Sequence, residues 1–210
     1  MDAYQLNPTE VRVLGALAEK QALTPDTYPL TLNTLTSACN QLTSREPVMQ
    51  LSEHDILTAL DSLMAQKLVA ERTPAGGRVS KYEHRMFYVW NIDGARKAAL
   101  VQLMLRGAQT SAEIRSRSGR LYTFSGLEEV ETALEALADK YPPMVQKLAR
   151  QPGEREARWV HLLSGDIPQV ATMAATESAD PGLAARVEAL EKQVEAMKEQ
   201  IATLEDLLTK

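Results

Sequence analysis

The chain repeats itself, and the repeat limits what it can fold into. Thr58-Ala59-Leu60-Asp61-Ser62-Leu63-Met64-Ala65-Gln66 returns as Thr132-Ala133-Leu134-Glu135-Ala136-Leu137-Ala138-Asp139-Lys140. After each copy comes a short apolar stretch, Leu68-Val69-Ala70 or Met144-Val145-Gln146. Then comes a turn, Thr73-Pro74-Ala75-Gly76-Gly77 or Gln151-Pro152-Gly153. Each copy closes on a basic residue, an aromatic, one further residue and a histidine: Lys81-Tyr82-Glu83-His84 and Arg158-Trp159-Val160-His161. Apolar residues at helical spacing, followed by two short strands about a Gly/Pro turn, predict helix, strand, wing, strand twice over.

That order is the second half of a winged-helix unit. The expected fold is therefore mainly α with small β-wings (α+β): two tandem winged-helix domains, residues 1–90 and 91–165, then a linker over 166–182 and a coiled-coil helix over 183–210. The first halves of the units fit. Asn7-Pro8-Thr9-Glu10 predicts a capped helix start, with Val11, Leu14, Leu17 and Ala18 as its apolar stripe and Thr24-Pro25 as its end. A second helix is expected from near Pro29 and a loop over 40–51. A third helix starts at Ser52 and should bury Ile56, Leu57, Leu60, Leu63 and Met64. In the second unit Ala95–Arg106 reads as a helix closed by Gly107. Capping boxes at Thr110-Ser111-Ala112-Glu113 and Ser125-Gly126-Leu127-Glu128 open two more, the last burying Leu127, Val130, Leu134 and Leu137 before Tyr141-Pro142-Pro143 stops it.

Charge is unevenly placed. Residues 1–90 carry 8 basic and 10 acidic side chains (net −2), residues 91–165 carry 11 and 9 (net +2), and residues 166–210 carry 4 and 9 (net −5). Neither unit has the strong positive field usual for non-specific DNA binding. No apolar run is long enough to span a bilayer, so no membrane association is expected. The start, Met1-Asp2-Ala3-Tyr4-Gln5, lacks the pattern of a signal peptide, and the single Cys39 allows no internal disulfide. A cytoplasmic protein is the expectation.

Helix-turn-helix readers place one helix in the major groove and hold phosphates with basic side chains. Here the helices in that position are acidic: Glu53, Asp55 and Asp61 in the first unit, Glu128, Glu129, Glu131, Glu135 and Asp139 in the second. Carboxylates brought to a polyanion are repelled. Candidate nucleic-acid contacts are therefore the cluster Arg115, Arg117 and Arg120 and the wing residues Arg78, Lys81, Arg85, Arg155 and Arg158, set against the simpler reading of solvated surface charge. His84 and His161 are expected to be structural, each hydrogen-bonded under its wing, with His54 exposed and Cys39 a buried small hydrophobe. The histidines and Cys39 show no metal spacing, and no phosphate loop or nucleophile elbow occurs. No catalytic residue, metal or cofactor is expected, and the chain reads as non-enzymatic.

In the tail, Leu183, Val187, Leu190, Val194, Met197, Ile201, Leu204 and Leu208 alternate fours and threes. With β-branched residues favoured at one heptad position and leucine at the other, this seam predicts a parallel two-stranded coiled coil and a homodimer, in preference to a helix folded back on its own domains.

Several stretches in order resemble a YceH-like bacterial family of unknown function. They are Tyr28-Pro29-Leu30, Ala38-Cys39-Asn40-Gln41, Arg45-Glu46-Pro47-Val48-Met49, Leu105-Arg106-Gly107-Ala108-Gln109-Thr110, Arg115-Ser116-Arg117 and Arg150-Gln151-Pro152-Gly153-Glu154-Arg155-Glu156. The resemblance covers residues 4–165. It implies two winged-helix domains in a bacterial cytosolic protein, and carries no activity or ligand with it. From the residues, the leading functional expectation is nucleic-acid-associated, transcription-regulator-like binding, with double-stranded DNA as partner. The alternative is a protein–protein adapter that docks through its acidic helices. Truncation after Gly182 is expected to convert a dimer into a monomer, and Val194→Asp to weaken the dimer, both read by sedimentation. A truncated chain that stays dimeric would move the interface into the domains.

Overall fold

The structure, a computed structural model, describes residues 4–73, 79–150 and 152–165. These belong to the compact unit Met1–Ile167. The turn residues Pro74 to Gly77, Arg78 and Gln151 lie outside the described residues, as do the expected linker and the heptad segment.

The unit is α+β, with seven helices and two small antiparallel sheets among the described residues. Helix α1 (Pro8–Leu23) begins as its sequence demands: Asn7 accepts from the Glu10 amide at 2.9 Å, and Glu10 accepts from the Asn7 amide at 2.7 Å. Strand β1 (Leu30–Thr31) leads into α2 (Leu32–Cys39), capped by Thr31. The helix thus starts later than Pro29 suggests, because Leu30 and Thr31 pair with Tyr82 and Lys81 instead. Helix α3 (Glu53–Ala65) carries the Ser52–Asp55 capping box. Strands β2 (Val69–Arg72) and β3 (Lys81–His84) pair antiparallel from Val69↔His84 to Arg72↔Lys81, giving the order β1-β3-β2. A short helix that the sequence did not announce, α4 (Met86–Trp90), ends this half at Asn91 in the left-handed region.

The second half repeats the order. It comprises α5 (Gly94–Arg106), α6 (Ser111–Ser118), α7 (Leu127–Ala138), β4 (Val145–Lys147) and β5 (Trp159–His161). Gln109, just before α6, forms a bridge with Trp159 that stands where β1 stands in the first half. The cap of α7 differs from expectation. It is Gly126, and no side chain caps it, because Glu129 reaches back to the Ser125 amide (2.7 Å) and hydroxyl (2.8 Å).

The two halves share one hydrophobic core. Every residue of α1 from Glu10 to Glu19 is buried, as is every residue of α5 from Ala98 to Leu105. A helix buried all round is central. Gly15 lets these two helices touch: a Cβ there would meet Leu105 at 3.0 Å and Met104 at 3.3 Å. Helices α3 and α7 bury only a narrow face, Ile56, Ala59, Leu60 and Leu63 in one, Val130, Ala133, Leu134 and Leu137 in the other. Leu57 and Leu127, expected inside, are 37% and 45% exposed, and Met64 is half-buried, because one packed face cannot take every apolar residue of the stripe.

Burial of α1 takes charges with it. Arg12 and Glu19, one on each side of Gly15, are nearly inaccessible, and so is Arg45 in the loop after α2. Arg45 grips Glu19 with two bonds, 3.1 and 2.5 Å, and donates to the Ala38 carbonyl at 3.1 and 2.9 Å. Arg12 donates to the carbonyls of Cys39 (3.1 Å) and Pro47 (2.6 Å). The same loop is tied to α5, through the Glu46 amide to Leu105 (2.8 Å) and Arg106 to the Ser44 hydroxyl (2.7 Å). Removing one partner of such a buried pair strands the other. Glu19→Ala is expected to cost about 3–5 kcal/mol of stability in urea unfolding, while Glu46→Ala, at an exposed side chain, should stay within about 0.5 kcal/mol.

Candidate nucleic-acid interface

The candidate basic residues fall into three situations. Arg115, on α6, and Arg120, just past its end, are exposed and make no ion pair among the described residues. Arg155 is likewise exposed, in the β4–β5 connection. Arg117 and Arg158 are already engaged. Arg117 lies 3.5 Å from Glu113 and donates to Gln109 Oε1 at 2.9 Å. Arg158 donates to Glu154 (3.1 Å), Glu113 (2.9 Å) and the Ala108 carbonyl (3.0 Å). Its hydrogen bond to Glu154 and the nearby Glu113 charge raise its pKa further. These two arginines hold α6 to β5: Glu113 joins both, and Gln109, held by Arg117, exchanges backbone bonds of 3.0 and 2.7 Å with Trp159. The structure therefore brings Arg117 and Arg158 together around Glu113.

In the first half, Lys81 is half-buried on β3 opposite Thr31 and Arg72. The Arg85 guanidinium lies over the Tyr88 ring, 5.4 Å from its centroid. Arg78 falls outside the described residues.

The acidic helices also sort into bound and unbound groups. Asp55 caps α3, and its hydrogen bonds from Ser52 hold its pKa below the usual carboxylate range. Glu129 accepts from the Tyr122 hydroxyl at 2.6 Å and from Ser125, which likewise lowers its pKa. Glu131 bonds the Ser111 hydroxyl and Lys147 (3.2 Å). Glu53, Asp61, Glu128, Glu135 and Asp139 are exposed and make no ion pair among the described residues. Adjacent carboxylates thus have different roles: Glu128 faces water, and Glu129 fastens the 122–125 turn.

The histidines hold equivalent places on β3 and β5 but differ in surroundings. His84 is buried, with Nε2 2.8 Å from Gln21 Oε1 and Nδ1 accepting from the Met86 amide at 3.4 Å. Burial, and then the Lys97 charge, push its pKa down to about 4. His161 Nδ1, expected to be hydrogen-bonded, is buried with no partner among the described residues, and burial pushes the imidazole's pKa down to about 4. His54 is exposed on α3. Cys39 is fully buried and its thiol is pushed up to about 12, again by burial, which disfavours the thiolate. Among the described residues no group of three or more His, Cys, Asp or Glu side chains is placed to hold a metal ion. No described helix is long and apolar enough to cross a membrane.

Sequence reasoning missed Arg12, Glu19 and Arg45, because charged residues are by default exposed. Arg12 and Glu19 are seven apart in α1, two helical turns, so they share a face with each other, on the side away from the apolar stripe, and nothing local announces that this side is buried too.

These residues describe an α+β protein of two related halves, with many of its ionisable groups occupied in holding it together. The chain belongs to the family described as protein of unknown function, DUF480, whose model matches residues 6–154. It is 69% identical over 208 residues to a UPF0502 protein of Chromobacterium violaceum, covering 99% of this chain and 94% of that one. It is 50% identical to the UPF0502 protein HEAR1280 of Herminiimonas arsenicoxydans, covering 92% and 84%. To the UPF0502 protein YceH of Salmonella paratyphi A it is 44% identical, covering 96% of each.

The two depressed imidazole pKa values have a thermodynamic consequence. A group whose protonation is disfavoured in the fold binds more protons when unfolded. The stability that His84 and His161 confer is therefore full above the unfolded value of 6.5 and is lost as pH falls towards about 4. Each contributes a slope of at most about 1.4 kcal/mol per pH unit in that window. Urea midpoints at a series of pH values should fall across it, and His84→Gln should flatten the fall. An unchanged slope in that variant would show that His84 does not contribute to the acid limit.

Proposed function

We propose that the chain is a non-enzymatic, cytoplasmic, homodimeric protein of two tandem winged-helix domains that acts by binding, with double-stranded nucleic acid as its target. The order of helices and strands in each half supports the winged-helix reading: α3 and α7 take the place of recognition helices, and β2–β3 and β4–β5 that of the wings. The observation that carries the nucleic-acid reading is the pair Arg115 and Arg120, exposed and without ion partners among the described residues, in the half with the basic surplus. Arg155 and Lys81 supplement them. Arg117 and Arg158 are given a lesser part in this reading, because each already has a carboxylate partner. A few phosphate contacts give weak, salt-sensitive binding with little sequence preference. Heptad pairing through Leu183, Val187, Leu190, Val194, Met197, Ile201, Leu204 and Leu208 would present this basic surface twice.

A second reading, a protein adapter, is favoured by one observation. The exposed face of α7 keeps Glu128, Glu135 and Asp139 unpaired among the described residues. A basic partner would complement it.

Binding to mixed-sequence duplex DNA across a salt series separates the two. Arg115→Ala with Arg120→Ala should weaken binding evenly across sequences and lower the salt slope by about one for each phosphate no longer neutralised. Glu128→Gln with Glu135→Gln should leave DNA affinity unchanged or raise it, and in the adapter reading should abolish partner binding. No DNA binding at low salt favours the adapter. Loss of sequence-specific binding in the glutamine variant alone would put base readout on α7 and end the electrostatic reading.

A further inference from the structure

Helix α4 leaves three consecutive large apolar side chains open to water. Met86 and Trp90, one turn apart, are buried and anchor it, with Trp90 edge-on to Tyr4 at 5.6 Å. Between these anchors Phe87, Tyr88 and Val89 are 49%, 77% and 44% exposed. Three adjacent exposed apolar residues are a poor choice for a surface that touches only water, and such patches mark interaction sites. The fold does not require them. The helix is closed by backbone bonds from Tyr88, Val89 and Asn91, which other side chains would permit equally.

Beside this patch stands a cation, Arg85. The Arg85 guanidinium covers Tyr88 at 5.4 Å, makes no ion pair among the described residues, and has its Nε buried with no acceptor. The nearby Arg72 is already held by Glu83 at 2.9 and 3.0 Å. What complements an apolar patch with one unsatisfied cation is an apolar group that carries an anion.

We infer that α4 is a docking surface for an amphipathic peptide segment of another protein, which lays apolar side chains on Phe87, Tyr88 and Val89 and brings a carboxylate to Arg85. Single-stranded nucleic acid, the other ligand that joins anions to apolar faces, fits less well. It needs open ring faces in series along a track of cations. Here Arg85 covers one face of Tyr88, Phe87 meets that ring edge-on at 5.4 Å and 80°, and Val89 has no ring. A second copy of this chain fits less well too, since a two-fold contact centred on the patch would bring two unpaired Arg85 charges together. This surface is separate from Arg115 and Arg120, and the inference does not rest on the nucleic-acid reading.

The test is selection from a random-peptide display library on the full chain, with counter-selection on a Phe87→Ser, Tyr88→Ser double variant. Both side chains are exposed, so the variant should melt as the parent does. Enriched peptides should carry Asp or Glu within a helical turn of two apolar residues, bind the parent at least about tenfold more tightly than the double variant, and weaken several-fold with Arg85→Gln. The proposal is overturned by peptides that bind parent and double variant equally, by enrichment of basic peptides, or by no enrichment over the variant. It is overturned equally if a thymidine homo-oligonucleotide, and no peptide, loses binding in the double variant, or if that variant merely dissociates a dimer.

Discussion

The Arg45–Glu19 pair, with Arg12 beside it, is the constraint on which the rest of the unit depends. Two cations and a carboxylate in a core are costly to desolvate, and their mutual attraction offsets this only when hydrogen bonding is nearly complete. Here it is nearly so, because the loop over residues 40–51 has no ladder of its own and must satisfy its carbonyls elsewhere. A guanidinium offers five donors in a fixed fork. Arg45 serves Ala38, Ser44, Gln41 and Glu19, and Arg12 serves Cys39 and Pro47. Asn40 finishes the loop by exchanging bonds of 2.8 Å with Leu51. The loop is therefore fixed at both ends, to α1 and to α5, and it delivers the chain to Ser52 in one direction.

Local rules explain what could be read in advance. Capping boxes at Asn7, Ser52 and Thr110 and the stop at Gly107 involve residues three or four apart, so the sequence displays both partners. The repeat did the same for the order of elements. What escaped reading depends on partners far along the chain. Arg45 and Glu19 are separated by 26 positions, Arg158 and Glu113 by 45, and Gln21 and His84 by 63. Arg158 read as a free wing residue partly for this reason, since its bond to Glu113 is supplied by folding, whereas the Arg117–Glu113 pair, four residues apart, was open to reading. Helix α4 escaped because five residues with no cap and no period give no helical signal, while their burial pattern comes entirely from Met86 and Trp90.

Equivalent positions of the two halves have taken different work. His84 reaches Gln21 on α1, and Lys97 on α5 donates to the same oxygen at 3.2 Å, so the imidazole shares its partner with a bond that joins the halves. His161, its counterpart, makes no such bridge through Nδ1. Asp61 and Glu135 both stay exposed at matching points of α3 and α7, but only α7 continues its acidity through Asp139. The halves share a backbone plan and differ in the surfaces they show.

Electrostatics set a bound on how such a chain could find a target. Three exposed arginines, Arg115, Arg120 and Arg155, that make no ion pair among the described residues, with Lys81, amount to a few phosphate contacts, and each contributes only a salt-dependent increment common to all sequences. Acidic α3 and α7 cannot supply base readout without first overcoming repulsion from the backbone. Selectivity in a nucleic-acid role must then come from outside the basic surface. Two routes are compatible with this chain: avidity, if the heptad tail brings two copies together, or recruitment, if α4 docks a partner that itself selects the site. Both routes leave the individual contact weak and place the discrimination in assembly. That division suits a fold whose strongest charge interactions, Arg45–Glu19 and Arg158–Glu113, are turned inward to hold its own elements in place.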